Sequence, residues 1–524
     1  MVRQGRGPEN HLTCNNQGMK VSRRPTPHRT AMQFLICVLA LTLLVGVGTP
    51  ITTSSAENLW DPFGGWAEQD FGATGAFRSE KVDGRWWLVT PDGHPFFSNG
   101  LNSVRPTGTV DRNGNAAYLD TVLDKYGTET AWADATLTRF SSWGINTIGG
   151  WSNVDLFAGR APYTVSVSLA DHDVPSGRIA DLWAASWVES VEAEIASATA
   201  TRVNDPWLVG YFLDNELHWT KDFRALDQLD YFAERAANEP GKIHLVEWLR
   251  VRYEDDFAAF AADFTTPATN GGDLASATSL VNKSDGALAT RDAWSGEVAE
   301  RYFAVTDAAL ASADPNHLNL GTRFFGQLIL PEVLAAAARH VDVVSINWYE
   351  LTPEAESLVG QLGPQFIPTE NTLAEHRRLA DLPLLISEFG WRATDSGLPN
   401  TWPPLQVVVA TQQERAERYL NFANCLANTG SVVGAHWFGL VDQPAIGRAD
   451  GENSNWGFLT EGDEEYEPLT NAAAAVHEVS FAPVTDPDWQ PGPCTPQGPQ
   501  PDPIDGTTPP PLEAVPVVKP AFTG

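Results

Sequence analysis

The chain has 524 residues and carries 34 Lys and Arg against 66 Asp and Glu, a formal net charge of −32. So acidic a surface repels nucleic acid and anionic membranes, which removes both as partners, and it disfavours heavily sulfated or uronate-rich polymers unless a local basic patch intervenes. The four cysteines lack metal-site spacing, and there is neither a Gly-rich phosphate loop nor a His-Glu-x-x-His motif, so no metal and no cofactor is expected.

In chain order, Arg23, Arg24 and Arg29 precede an apolar run over 34–47, and small residues Ser54 and Ala56 follow it. Residues 1–56 therefore read as an export signal and the mature protein as secreted, since the run is short for a membrane span. An uncleaved anchor is the alternative. Cys14 and Cys37 leave with this segment. Residues 57–94 predict an N-terminal β-hairpin segment, with turns at Val82-Asp83-Gly84 and Pro91-Asp92-Gly93.

Eight strand-like runs follow, at 95–104, 144–149, 163–169, 208–213, 318–323, 341–347, 382–387 and 431–438. Helical patterns over 116–140, 179–200, 330–340, 372–379, 411–427 and 469–479 lie among them. This alternation predicts an α/β protein, a (β/α)8 TIM barrel over 95–481. The interval 220–316, between the fourth and fifth runs, carries helical patterns at 223–237, 245–263 and 293–311 and a Gly/Thr/Asn-rich loop at 265–272. It reads as a helical insertion on the rim where βα loops diversify function. Residues 482–524 are Pro-rich and aperiodic, an extended or disordered tail. In an exported protein Cys494 of this tail can pair with Cys425; two free thiols are the alternative.

The chemistry lies at the ends of two runs. Gly210-Tyr211-Phe212-Leu213-Asp214-Asn215-Glu216 and Leu384-Leu385-Ile386-Ser387-Glu388 are apolar stretches that stop on a glutamate. Desolvating an unpaired carboxylate is costly, so such an ending calls for a reason. In a barrel these positions fall at the catalytic ends of strands four and seven. Retaining glycoside hydrolysis needs a protonated carboxylic acid and a nucleophilic carboxylate about 5–5.5 Å apart. Glu216 and Glu388 are the candidates, and two salt-bridged structural glutamates are the alternative. Asn215 is placed to bond a sugar 2-hydroxyl, and Tyr349 to hold Glu388 through its hydroxyl. Trp151, Trp219, Trp348, Trp391 and Trp437, among 19 tryptophans, fall at strand ends where an indole face can carry a sugar ring, although packing accounts equally well for each. Asn102, Arg105, Arg323, Asn347, His436 and Gln443 are further mouth candidates, and Arg323 reads equally as the partner of a barrel carboxylate. Glu452 and Asn453 fall in a loop able to close over a sugar, and His218 either bonds substrate or caps a turn.

Several segments resemble glycoside hydrolase family 50, the β-agarases, within the large clan of retaining barrel glycosidases. They are Gly84-Arg85-Trp86-Trp87 through Pro95-Phe96-Phe97-Ser98, Asp214-Asn215-Glu216-Leu217, Val344-Ser345-Ile346-Asn347-Trp348-Tyr349, and His436-Trp437-Phe438 through Asp442-Gln443-Pro444 to Asp450-Gly451-Glu452-Asn453. The resemblance implies Glu216 as acid/base, Glu388 as nucleophile, and a neutral galactan polysaccharide or oligosaccharide as substrate, cleaved at its β-galactosidic bonds with retention. A β-galactosidase or other β-glycan hydrolase of the same clan, and a non-catalytic glycan-binding protein, are the competing expectations.

Overall fold

Runs of β-branched and apolar residues that are buried on both faces favour parallel sheets, and here they close into a ring. The computed structural model describes residues 59–171, 178–220, 227–326, 328–362, 372–404, 406–486, 489–492 and 494. The expected export signal lies outside them, as does the tail beyond Cys494. Among the described residues no helix is long and apolar enough to cross a membrane.

The barrel strands are β1 (Ser98–Leu101), β2 (Thr147–Ile148), β3 (Tyr163–Val167), β4 (Leu208–Leu213), β5 in two pieces (Leu318–Asn319 and Phe324–Phe325), β6 (Val344–Trp348), β7 (Leu384–Phe389) and β8 (Val432–Trp437). Each neighbouring pair is parallel, and β1 lies against β8. The first piece of β5 pairs with β4 and the second with β6, so the ring closes across a break in β5. Gly321 (φ 73°) and Arg323 (φ 51°) make that break through left-handed backbone. Its main chain stays bonded: Leu213 N–H donates to Gly321 O at 2.9 Å, and Arg323 N–H to Ser345 Oγ at 2.9 Å.

The expected run 95–104 divides. Pro95–Phe96 joins Arg78–Val82 and Arg85–Val89 in a three-stranded antiparallel sheet, one strand more than the hairpin predicted, while Ser98–Leu101 enters the barrel. From this sheet and its flank, Phe63, Phe77, Leu88 and Phe96 pack on Val209, Leu318, Val343, Leu385 and Val433, which sit near the starts of barrel strands. The small sheet thus plugs the end of the barrel opposite the two glutamates. Burying each such side chain stabilises by about 1.5–3 kcal/mol.

The pattern over 116–140 becomes two helices, Ala117–Tyr126 and Glu129–Trp143. Gly127 (φ 77°) ends the first, and the Thr128 hydroxyl accepts from Ala131 N–H to start the second. Both are ordinary stop and start signals. In the insertion the described helices are Gln228–Glu234, Pro240–Arg252, Phe257–Asp263 and the 29-residue Asp285–Ala313. Trp294 of the last is fully buried against Trp183, Phe232 and Trp248. Residues 223–226 of the expected 223–237 helix lie outside the described residues. A helix at Pro353–Leu362, not expected from the sequence, follows β6.

Cys425 and Cys494 are joined in a disulfide. Near it, Arg85 lies between the rings of Trp87 and Trp489, 4.3 and 4.9 Å from their centroids. Trp489 Nε1 donates to Asn428 Oδ1 at 3.1 Å. The bridge therefore pins the chain after the last barrel helix to the plug sheet and to the helix Gln412–Ala427 that carries Cys425. It closes a loop with a sequence separation of 69, for which chain entropy predicts about 4 kcal/mol. Cys494→Ser should lower the unfolding free energy by up to that amount in denaturant melts, and reductant should do the same to the wild type but leave the variant unmoved.

Burial pushes the imidazoles of His376 and His436 down to about 3. In the unfolded chain they titrate near 6.5, so below about pH 6.5 the unfolded state binds more protons and stability falls by about 1.4 kcal/mol per pH unit for each group. His376→Phe should gain on the wild type steadily as melts move from pH 7 to pH 5. A difference in melting temperature that stays constant with pH contradicts this.

Candidate active site

Glu388, the fifth residue of β7, is buried with 6% of its surface exposed, and three donors converge on it. Tyr349 Oη donates to its Oε2 at 2.6 Å. Arg323 Nη2 donates to Oε1 at 2.5 Å, and Trp151 Nε1 approaches the same oxygen at 3.4 Å. The two carboxyl oxygens of Glu388 accept all three. Burial and the negative charge of Glu388 hold the Tyr349 phenol well above its usual range, so it remains a donor.

The break in β5 is what aims Arg323 inward. Its guanidinium is fully buried. Nε donates to Asn215 Oδ1 at 3.0 Å, and the cation lies over the rings of Phe212 and Trp151, 4.7 and 5.3 Å from their centroids. The same break receives the other glutamate, since Glu216 N–H points at Thr322 O and Arg323 O, each 3.3 Å away. Asn347, beside Glu388 in the β6–β7 register, ties the two halves together. Its Nδ2 donates to Glu216 Oε1 at 3.0 Å and Asn215 Oδ1 at 3.1 Å, and its Oδ1 accepts from Ser387 Oγ at 2.8 Å. Asn102 Nδ2 braces the end of β7 by donating to Ser387 O at 2.9 Å and Trp437 O at 3.2 Å.

Asp214 fixes the turn that carries Asn215 and Glu216. Its carboxylate accepts from Leu169 N–H at 2.8 Å and Tyr302 Oη at 2.7 Å, and burial pushes it up to about 6 against these donors. Left-handed backbone clusters on this rim: Ser103 (φ 55°), Trp151 (φ 63°), Asp214 (φ 70°), Glu216 (φ 49°) and Arg323 (φ 51°). Non-glycine residues held this way cost about 1–3 kcal/mol each, and such conformations gather at functional sites.

Not every expected mouth residue opens onto this cluster. Trp391 and Trp437 are buried against Phe389, and their Nε1 atoms bond Glu350 Oε2 and Trp456 O, both at 2.6 Å. Trp219 stacks on Phe303. These three rings sit in the core because helices packed on the barrel cover them, which corrects their expected place as sugar platforms. His436 is likewise fully buried, its Nε2 2.8 Å from Ser98 Oγ in the barrel interior. Trp348 is buried too, and Trp151 alone among the five expected platforms keeps an exposed part.

Sequence reasoning missed Arg448 and Trp456. Both line a small pocket beside the cluster, with Ser103, Arg105, Phe438 and Gln443. Trp456 packs on Tyr349, their ring centroids 5.5 Å apart. Its position after the Asp450-Gly451-Glu452-Asn453 phrase was the available signal. Among the described residues no group of three or more His, Cys, Asp or Glu is arranged to hold a metal ion.

No family model matches the chain. Among curated proteins, β-agarase B of Vibrio sp. (strain JT0107) is 30% identical over 494 residues, covering 78% of this chain and 49% of that protein. β-Agarase A of the same organism is 30% identical over 455 residues, covering 75% and 44%. The chain spans about half the length of these relatives. Among solved structures, an agarase, AgWH50C, matches with a TM-score of 0.68 at 26% identity over 81% of this chain and 68% of that chain. An exo-β-agarase structure shares the fold at a TM-score of 0.70 and 23% identity, over the same shares of the two chains. The chain belongs with the β-agarase-like proteins of glycoside hydrolase family 50.

The guanidinium of Arg323 has its place because residue 150 lacks a side chain. A Cβ on Gly150 would lie 2.3 Å from Arg323 Nη1. Gly150→Ala should therefore destabilise by about 1–3 kcal/mol and displace the guanidinium from Glu388. Gly271→Ala, where a Cβ meets nothing within 4 Å, is the neutral control. Equal melting temperatures for the two variants contradict the assignment.

Proposed function

We propose that the chain is an exported retaining glycoside hydrolase that cleaves β-galactosidic bonds of agarose or its oligosaccharides. Glu388 attacks the anomeric carbon and Glu216 first protonates the leaving oxygen, then deprotonates the water that releases the sugar. The observation that carries this reading is the set of donors around Glu388, with Glu216 tied to the same Asn347. Arg323 and Tyr349 neutralise and orient the nucleophile, and Asn215, whose Oδ1 is taken by Arg323 and Asn347, keeps its Nδ2 for a sugar hydroxyl. A nearly uncharged galactan also suits a chain of net charge −32.

The test is a product profile on agarose, neoagaro-oligosaccharides, β-1,3- and β-1,4-galactan and mannan, with Glu216→Gln and Glu388→Gln beside the wild type. Neoagarobiose should appear with the wild type, and each variant should lose about 10²- to 10⁴-fold in turnover. Cleavage of another glycan alone would discard the substrate, and binding without cleavage would discard the reaction.

Azide separates the two roles. With an activated aryl glycoside, Glu216→Ala should yield the β-glycosyl azide, because the covalent intermediate still forms and the small anion replaces water. Glu388→Ala should yield no β-product. A β-azide from Glu388→Ala would remove it as nucleophile.

A further inference from the structure

A third carboxyl group is held near the Tyr349 phenol: Gln443 and Arg448, which bond Glu452, line one pocket with Trp456, and Trp456 packs on Tyr349. Glu216, Glu388 and Glu452 all act electrostatically on Tyr349, yet Glu452 comes from the loop after β8. Its Oε2 is engaged by Gln443 Nε2 and lies 3.3 Å from Arg448 Nη2. Among the described residues no hydrogen bond reaches Oε1, and that oxygen is not among the buried unpartnered atoms. Arg448 is already matched by Asp450 at 2.6 Å, so Glu452 is not needed to neutralise it. Burial raises the Glu452 carboxyl above its ordinary range; Arg448 opposes this, and Asp450 and Glu388 add repulsion.

The loop is held rather than free. Ser454 N–H donates to Gln443 Oε1 at 2.9 Å, and Arg112 N–H donates to Gly447 O at 2.9 Å, fastening it to the loop after β1. Asp442 anchors its base, accepting from Asn455 Nδ2 and Gly457 N–H at 2.8 Å and from Tyr466 Oη at 2.7 Å. A half-satisfied carboxyl on a braced loop, close to a reacting carboxylate, is arranged as an acceptor awaiting a donor.

We propose that Glu452 determines specificity by accepting a hydroxyl of the sugar ring whose anomeric carbon faces Glu388, through its unengaged Oε1, while Gln443 and Arg448 fix the carboxyl. This rests on the reading of Glu388 as nucleophile. A hydroxyl is the fitting donor because the ligand surface here is neutral and each ring hydroxyl can donate one bond. A site built to bond a substrate hydroxyl discriminates strongly against an analogue that lacks it, because the acceptor, once covered by the sugar, is then left unpaired.

The experiment uses aryl β-glycosides of neoagarobiose and analogues deoxygenated at C2, C4 or C6 of the galactose, with wild type, Glu452→Gln and Glu452→Ala. Both variants should lose about 10- to 100-fold in kcat/KM on the parent. One deoxy analogue should be penalised in the wild type and not further penalised in Glu452→Ala. Equal deoxy penalties in wild type and variant at every position would overturn the proposal, as would unchanged kcat/KM in both variants. If the alanine variant does not fold, the isosteric glutamine variant carries the same comparison. A wild type that cleaves none of these glycosides sinks the hydrolase reading and this inference with it, whereas cleavage with equal penalties sinks this inference alone.

Discussion

The structure is organised around a fully buried guanidinium. Desolvating a cation costs several kcal/mol unless charge and hydrogen bonds compensate, and for Arg323 the compensation comes from Glu388, Asn215, Ser387 O and two aromatic faces. The broken β5 delivers it, Gly150 clears its space, and His436 stays neutral within reach of its field. Removing the guanidinium would leave Glu388 buried with fewer partners, so the proposed nucleophile and the local stability depend on the same contact.

Around that contact the rim is stiff. Asp214 pins the β4 turn, Asn102 and Asn347 lock β7 to its neighbours, and the β8 loop is tied back through Gln443 and Asp442. Five non-glycine residues in left-handed backbone on this rim are a strain that the packed barrel beneath can carry. The consequence is geometric: donors already stand around Glu388, so the proposed attack would need little reorganisation.

The eight-strand alternation, the insertion and the two strand-terminal glutamates were legible because they are local patterns of hydropathy and punctuation. Tyr349 and Asn347 followed from their positions on the neighbouring strand. Arg323 was readable only as one of two equal options, since its aim depends on φ at a break that no propensity signals. The aromatic residues misled for a similar reason. Trp391 and Trp437 do fall at strand ends, but whether a ring faces the cleft or the helix Gln412–Ala427 depends on packing from distant segments. Arg448 and Trp456 were missed because a loop without periodicity gives no sign of which side chains fold back over the barrel. The Cys425–Cys494 bridge stood open in the sequence for the plainer reason that proximity in space is not written in spacing.

The most direct test of the account is to trap the covalent intermediate. A 2-deoxy-2-fluoro-β-galactosyl donor with a good leaving group, incubated with the purified protein and followed by peptide mapping, should add one fluorosugar to the peptide containing Glu388. A label on Glu216 or Glu452, or turnover of the donor without any adduct, would contradict the central claim that Arg323 and Tyr349 present Glu388 as the nucleophile.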